Sequence, residues 1–99
     1  MKKPLIIEPE AEADLYEAQS AYEHQQKGLG LDFLLCFEAA IEAISERPRS
    51  FPVVAKRTRR ALMKRFPYSI LFVELPEVVA VIGVFHAARD PKLIRRRAR

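Results

Sequence analysis

From Leu31 to Arg47 the apolar residues return at helical spacing. Leu34, Phe37, Ile41 and Ile44 form a heptad-like stripe, widened by Phe33 and Ala40, as one face of an amphipathic helix requires. Glu38, Glu42 and Glu46 lie on the other side, and Pro48 ends the helix. Each buried aliphatic or aromatic side chain contributes ~1.5–3 kcal/mol, so such a stripe must cover a sheet. Upstream, Ala11, Leu15, Ala18 and Tyr22 recur at spacings of four, three and four, predicting a first helix from Pro9 to about Lys27. Pro9 suits its first turn, and Glu10, Glu12 and Asp14 favour the positive end of its dipole. Gly28 is expected to close this helix in the left-handed conformation. The Gly28-Leu29-Gly30 break allows only a reversal, so the two helices form an antiparallel hairpin.

Outside the hairpin the period drops to two or vanishes. Pro4–Glu8 must stay extended before Pro9 and reads as a first strand. After the turn-rich Arg47–Pro52, Val53–Thr58 leads into Arg59–Arg65, whose alternation predicts one strand with basic side chains on both faces. Tyr68–Leu75 is rich in β-formers, Pro76-Glu77 makes a tight turn, and Val78–Phe85 returns. The near-continuous apolarity of this last run predicts a central strand covered on both faces, with Gly83 marking a bulge or a close approach. The order is β-α-α-β-β-β. It predicts an α+β fold: a helix hairpin packed on a small, largely antiparallel sheet.

Composition narrows the class. Ninety-nine residues, 49% hydrophobic and 30% charged, fit a single domain spanning residues 1–99. Cys36 is the sole cysteine, which excludes an intrachain disulfide and suits a reducing, cytoplasmic setting. No apolar run approaches the ~20 residues of a membrane span, so no membrane association is expected. Glycine-rich phosphate loops, CxxC pairs and HExxH spacing are missing, so no cofactor and no metal is expected.

Net charge of +4 conceals a division. Residues 1–46 hold three cations against ten acids, a balance of −7, and residues 47–99 hold fourteen against three, a balance of +11. Such asymmetry points to a polyanionic or acidic partner, or else to two charged layers that attract each other. The tail, Lys92–Arg99, carries five cations and no acid, and is expected to be either a short helix or a mobile basic arm.

Candidate chemistry gathers at the end of the last long strand. His86 is followed by Arg89, Asp90 and Pro91. A proton-transfer group beside a guanidinium could grip or cleave a phosphodiester; equally, His86 could cap the sheet and Arg89 pair with a hairpin acid. Arg59, Arg60, Lys64 and Arg65 could add phosphate contacts, with Tyr68 stacking on a base. Cleavage without a metal would set His86 as the proton-transfer group, with the arginines stabilising charge. Cys36 fits a small, half-buried hydrophobe.

Across nearly its whole length the chain resembles the RelE/ParE superfamily of type II toxin–antitoxin toxins. The resemblance rests on Pro9-Glu10-Ala11-x-x-Asp14-Leu15, on Tyr22-Glu23 before Gly28-Leu29-Gly30-x-x-Phe33, and on Arg47-Pro48-x-x-Phe51-Pro52. It continues through Arg59-Arg60-Ala61-Leu62, Phe66-Pro67-Tyr68 and Val84-Phe85-His86-x-x-Arg89-Asp90-Pro91. It implies a toxin neutralised by a cognate antitoxin, whose C-terminal segment folds on binding, in a hetero-oligomeric complex. ParE-like members of the superfamily poison DNA gyrase without being nucleases, and RelE-like members are endoribonucleases that cut mRNA on the ribosome. Arg59, Lys64, Arg65, His86 and Arg89 fall in regions comparable with the RelE cleavage set, but no tyrosine follows Asp90. The Phe66-Pro67-Tyr68 and His86-x-x-Arg89 patterns look more like ParE-type members. Three expectations follow: a gyrase inhibitor, an mRNA interferase, or an inactive domain that only binds antitoxin.

Overall fold

The computed structural model describes residues 2–99. Strand β1 (Leu5–Ile7) leads into helix α1 (Pro9–Gln25) and helix α2 (Leu29–Glu46). A single 3-10 turn (Pro48–Ser50) precedes β2 (Val53–Ala55), β3 (Thr58–Leu62), β4 (Tyr68–Glu74) and β5 (Val79–His86), and α3 (Pro91–Arg97) follows. Strand order is β1-β5-β4-β3-β2. All neighbours are antiparallel except β1, which runs parallel to β5. The result is the expected α+β layer, a helix hairpin on a mostly antiparallel sheet, with β2 and α3 as additions.

Both α1 and α2 turn their predicted faces to the sheet. Ala11, Ala18, Phe33, Phe37 and Ile44 are buried, and Leu15, Tyr22, Leu34, Ala40 and Ile41 pack against them. Phe33 centres an aromatic group, stacked on Tyr22 at 5.3 Å and meeting Phe66 and Tyr68 edge-on at 5.2 and 5.0 Å. At the reversal Gly28 adopts φ +91°, as expected, but it serves as the N-cap of α2 because α1 has already ended at Gln25. The Glu23 carboxylate accepts hydrogen bonds from the Gly28 and Gly30 N–H groups at 3.1 and 3.0 Å, satisfying two free donors of α2. A Cβ on Gly30 would sit 2.9 Å from the Gln19 carbonyl oxygen, so only glycine lets the helices approach this closely.

The second face of the sheet is covered differently. Leu71, Val73, Ala80, Ile82 and Phe85 form a smaller buried group, packed against Leu75 and against Ile94 of α3. Residues 92–99 are folded: α3 is capped by Asp90, whose carboxylate accepts from the Lys92 N–H at 2.9 Å. Beyond α3, the buried Thr58 hydroxyl exchanges hydrogen bonds with the Arg99 N–H and carbonyl oxygen at 2.8 and 3.1 Å. Arg99 also forms an ion pair with Glu8 that raises its guanidinium further above its ordinary value.

A bulge in β5 explains how α3 is held. Leu71 is opposite Gly83 and Phe72 opposite Val81, so Ile82 has no partner on β4. On its other edge β5 outruns β1, which ends at Ile7. Side chains complete that edge: Asp14 accepts from the Val84 N–H at 3.0 Å, and Arg97 donates to the Ile82 carbonyl at 2.9 Å and to Asp14 at 2.8 Å. Arg97 also lies 4.8 Å from the Phe85 ring centroid. One guanidinium thus joins α1, β5 and α3.

The predicted strand Arg59–Arg65 needs correction. It runs from Thr58 to Leu62, and Lys64 and Arg65 lie in the β3–β4 loop, where Arg65 takes φ 71°. The period-two pattern continues past the strand because the Met63 side chain, two residues after Ala61, still turns into the core.

Candidate functional surfaces

His86 closes β5 directly opposite Tyr68 of β4. The two rings meet edge-on at 5.2 Å, and Tyr68 in turn contacts Tyr22 and Phe33 at 6.1 and 5.0 Å. His86 Nδ1 accepts from the Ala88 N–H at 2.9 Å, so the neutral ring carries its proton on Nε2. Burial, then the nearby Tyr22 and Glu17, push the Tyr68 phenol above its ordinary value of 10.0, against a smaller opposing pull from Arg89. Tyr68 therefore stays protonated at neutral pH. Its ring is held in the aromatic group rather than offered to a base.

The other candidate residues are dispersed. Arg65 forms an ion pair with Asp32 of α2 at 3.5 Å and lies 5.3 Å from the Phe66 ring centroid. Arg89 lies over Phe85 at 5.7 Å, on the opposite face of the sheet from Tyr68. The expected pairing of Arg89 with a hairpin acid is not made among the described residues; the guanidinium sits on Phe85 instead. Arg59 points toward the hairpin side and donates to the Phe51 carbonyl at 2.6 Å, a structural tie. Arg60, opposite Leu71, faces the α3 side. His86, Arg65 and Arg89 thus share no pocket: Arg65 and Lys64 line a groove between α2 and β3, Arg89 lines a cleft beside α3, and His86 lines neither.

That α2–β3 groove, about 570 Å³, was not foreseen. Leu35, Ala39 and Ala43 form one wall, Ala61 and Leu62 the other, with Phe51 between them. Leu35 and Leu62 are 55% and 66% exposed, unusually open for their size. A signal existed in the sequence: Leu31, Leu35, Ala39 and Ala43 recur every four residues, a second apolar ridge beside the core stripe. Cys36 lines the same groove, half-buried. The free edge strand β2 adds exposed Val53 and Val54 nearby in the sheet.

Among the described residues no group of three or more His, Cys, Asp or Glu is placed to hold a metal ion, and no helix is long and apolar enough to cross a membrane. Two surface features stand out instead, one apolar groove and one cationic cleft.

Comparison with known proteins agrees with this architecture. The family model described as the ParE toxin of type II toxin–antitoxin systems, parDE, matches residues 5–91. The chain belongs to this family, and so is the toxin component of a type II toxin–antitoxin system. Its fold is similar to that of the chromosomal ParDE system from P. aeruginosa, with TM-score 0.77 and 15% identity over 86% of this chain and 96% of that one. It is also similar to the RelBE2 toxin–antitoxin complex from Mycobacterium tuberculosis, with TM-score 0.60 and 17% identity over 87% of this chain and 99% of that one. Among curated protein sequences, none matches.

Proposed function

We propose that this toxin acts by binding, as a ParE-type inhibitor of DNA gyrase, and that its antitoxin neutralises it by occupying the α2–β3 groove. The observation that carries the first half is the dispersal of the candidate catalytic groups. General acid–base cleavage needs proton-transfer and charge-stabilising groups around one reacting atom. Here His86 is held by Ala88 and Tyr68, Arg65 points to α2, and Arg89, whose N–H bonds the His86 carbonyl at 3.0 Å, turns its guanidinium onto Phe85. Membership of the ParE toxin family and the likeness to a ParDE structure lean the same way.

The antitoxin half rests on complementarity. The groove offers apolar anchors in Leu35, Phe51 and Leu62, and Lys64 and Arg65 at its end suit an acidic flank. A segment disordered when free can fold into such a groove, its apolar anchors giving affinity and its acids giving rate. Both similar structures are described as toxin–antitoxin systems or complexes, which supports an antitoxin partner in a cytoplasmic hetero-oligomer.

Purified toxin incubated with gyrase and supercoiled plasmid tests the target. Inhibited supercoiling with build-up of cleaved, gyrase-bound plasmid is the expected result. Full gyrase activity at a toxin concentration that arrests growth would exclude gyrase. Cleavage of mRNA in a translation extract would then assign the toxin to the endoribonuclease class.

A further inference from the structure

The α3 side of the sheet holds a cationic surface that gyrase inhibition by itself does not require. Of the fourteen cations in residues 47–99, Arg49, Arg65, Arg97 and Arg99 form ion pairs with acids. The other ten form none among the described residues. Several of these gather on one side. Arg89 and Arg96 line a cleft of about 450 Å³ with Arg97 and Arg99, floored by Phe85 and Leu93. Glu10, the acid on the rim, already pairs with Arg97 at 3.3 Å. Arg95 is exposed next to Arg96 on α3. Arg60 shares the face through its register with Leu71, and the Arg57 N–H bonds the Arg99 carbonyl at 2.8 Å, bringing the β2–β3 turn alongside.

We propose that this face binds the phosphodiester backbone of duplex DNA without regard to sequence, through Arg57, Arg60, Arg89, Arg95 and Arg96. Three observations select this ligand. The acids of the molecule lie mainly on the opposite, hairpin layer, and Glu8 and Glu10, which reach this side, are already paired with Arg99 and Arg97, so an approaching polyanion meets an excess of cations. An acidic peptide would need several apolar anchors to hold it; none of the exposed large hydrophobics lies between Ala87 and Arg99, although Leu62, two residues beyond Arg60, shares its face of the sheet. Single-stranded nucleic acid is held by bases stacked on open aromatic rings. Here Phe85 is 3% exposed, with the Arg89 and Arg97 guanidinium groups over its ring. What is left is a row of planar guanidiniums suited to phosphate oxygens.

Such binding would concentrate the toxin on the DNA that gyrase handles, but it is measurable without gyrase. Failure of either reading is therefore distinguishable from failure of the other. The test is fluorescence anisotropy of isolated toxin with a labelled short duplex of arbitrary sequence, titrated with salt, beside a single-stranded RNA of equal length. Wild-type toxin should bind the duplex at least as tightly as the RNA, with a log–log salt slope of roughly −4 for about five phosphate contacts. Arg95→Gln/Arg96→Gln should make that slope shallower by about 2 and weaken binding about ten-fold at low salt. The charge-matched Lys27→Gln/Arg47→Gln pair, away from α3, should change neither by more than about two-fold. Both proteins must retain the wild-type circular dichroism spectrum. Equal weakening by the two pairs would reduce the effect to net charge and overturn the proposal. So would tighter binding of the RNA, or displacement of the duplex by a polyglutamate peptide of matched charge.

Discussion

On the hairpin side of the sheet, Phe33, Phe37, Ile44, Ile70 and Phe72 are almost fully buried, and two long helices lie across them. On the other side the cover is one helix of seven residues, and guanidiniums do part of the sealing: Arg97 over Phe85, paired with Asp14, and Arg99 paired with Glu8. The first face is closed by apolar packing, which salt does not screen. The second depends on charge, and its outer surface remains strongly cationic. The contrast separates two tasks as well. The apolar groove at the edge of the hairpin suits a protein segment, and the α3 face suits phosphate.

Removing packing from the hairpin side should have the largest consequence. Phe33→Ala deletes the centre of the aromatic group and should lower unfolding free energy by about 3–5 kcal/mol, measured by denaturant titration. A loss below about 1 kcal/mol would mean that the aromatic group contributes little to stability. Next comes the groove. Leu35→Asp, on an exposed wall, should leave stability nearly unchanged while weakening antitoxin binding by about 2–3 kcal/mol in calorimetry. Unaltered affinity would move the antitoxin to another surface.

On the α3 side, Asp14→Asn removes the carboxylate that serves both Arg97 and the Val84 N–H. The expected cost is about 1–2 kcal/mol, with faster hydrogen exchange in α3 than in α2. Raised salt should loosen α3 in the same selective way, since exposed parts of these pairs are screened. Uniform loosening of both faces would erase the distinction drawn between them.

The smallest effect lies at the far end of the sheet. Hydrogen bonds from Arg49 and Lys3 hold the Glu74 carboxyl below its ordinary value of 4.5. A depressed folded-state value stabilises the fold above the unfolded value, and this contribution disappears as pH falls through the folded one. Because Arg49 is largely exposed, Glu74→Gln should cost only about 0.5–1 kcal/mol at neutral pH. Melting temperatures of the two proteins should converge under acid conditions. Curves that stay parallel down to acid pH would remove Glu74 from the account.

The hairpin was legible in the sequence because its apolar stripe, its proline stop and its glycine reversal all state the same geometry locally. Strands β4 and β5 were legible for a similar reason, down to an irregularity that falls on Ile82, beside the Gly83 that marked it. Strand β2 and the break in the basic strand were not, since three residues carry little periodic signal and the core position of Met63 prolongs the alternation. Helix α3 could not be distinguished from a free arm by composition. Its order comes from Asp14, Glu10 and Glu8, some eighty residues away in the chain, and from the unpaired edge of β5. Of the candidate site residues, Tyr68 and His86 lie at strand ends and Lys64, Arg65 and Arg89 in loops. Their separation was invisible, because whether Arg65 or Arg89 reaches His86 depends on which face of the sheet each one leaves.

Toxicity of a His86→Asn variant tests most directly whether the toxin acts by contact rather than by chemistry. The Asn carboxamide oxygen can replace Nδ1 as acceptor for the Ala88 N–H, yet it cannot transfer a proton at neutral pH. Expressed without antitoxin, the variant should arrest growth at a dose within about two-fold of wild type, a difference of less than ~0.5 kcal/mol. Abolished toxicity in a variant that still folds and still binds antitoxin would contradict the account and make His86 a catalytic residue.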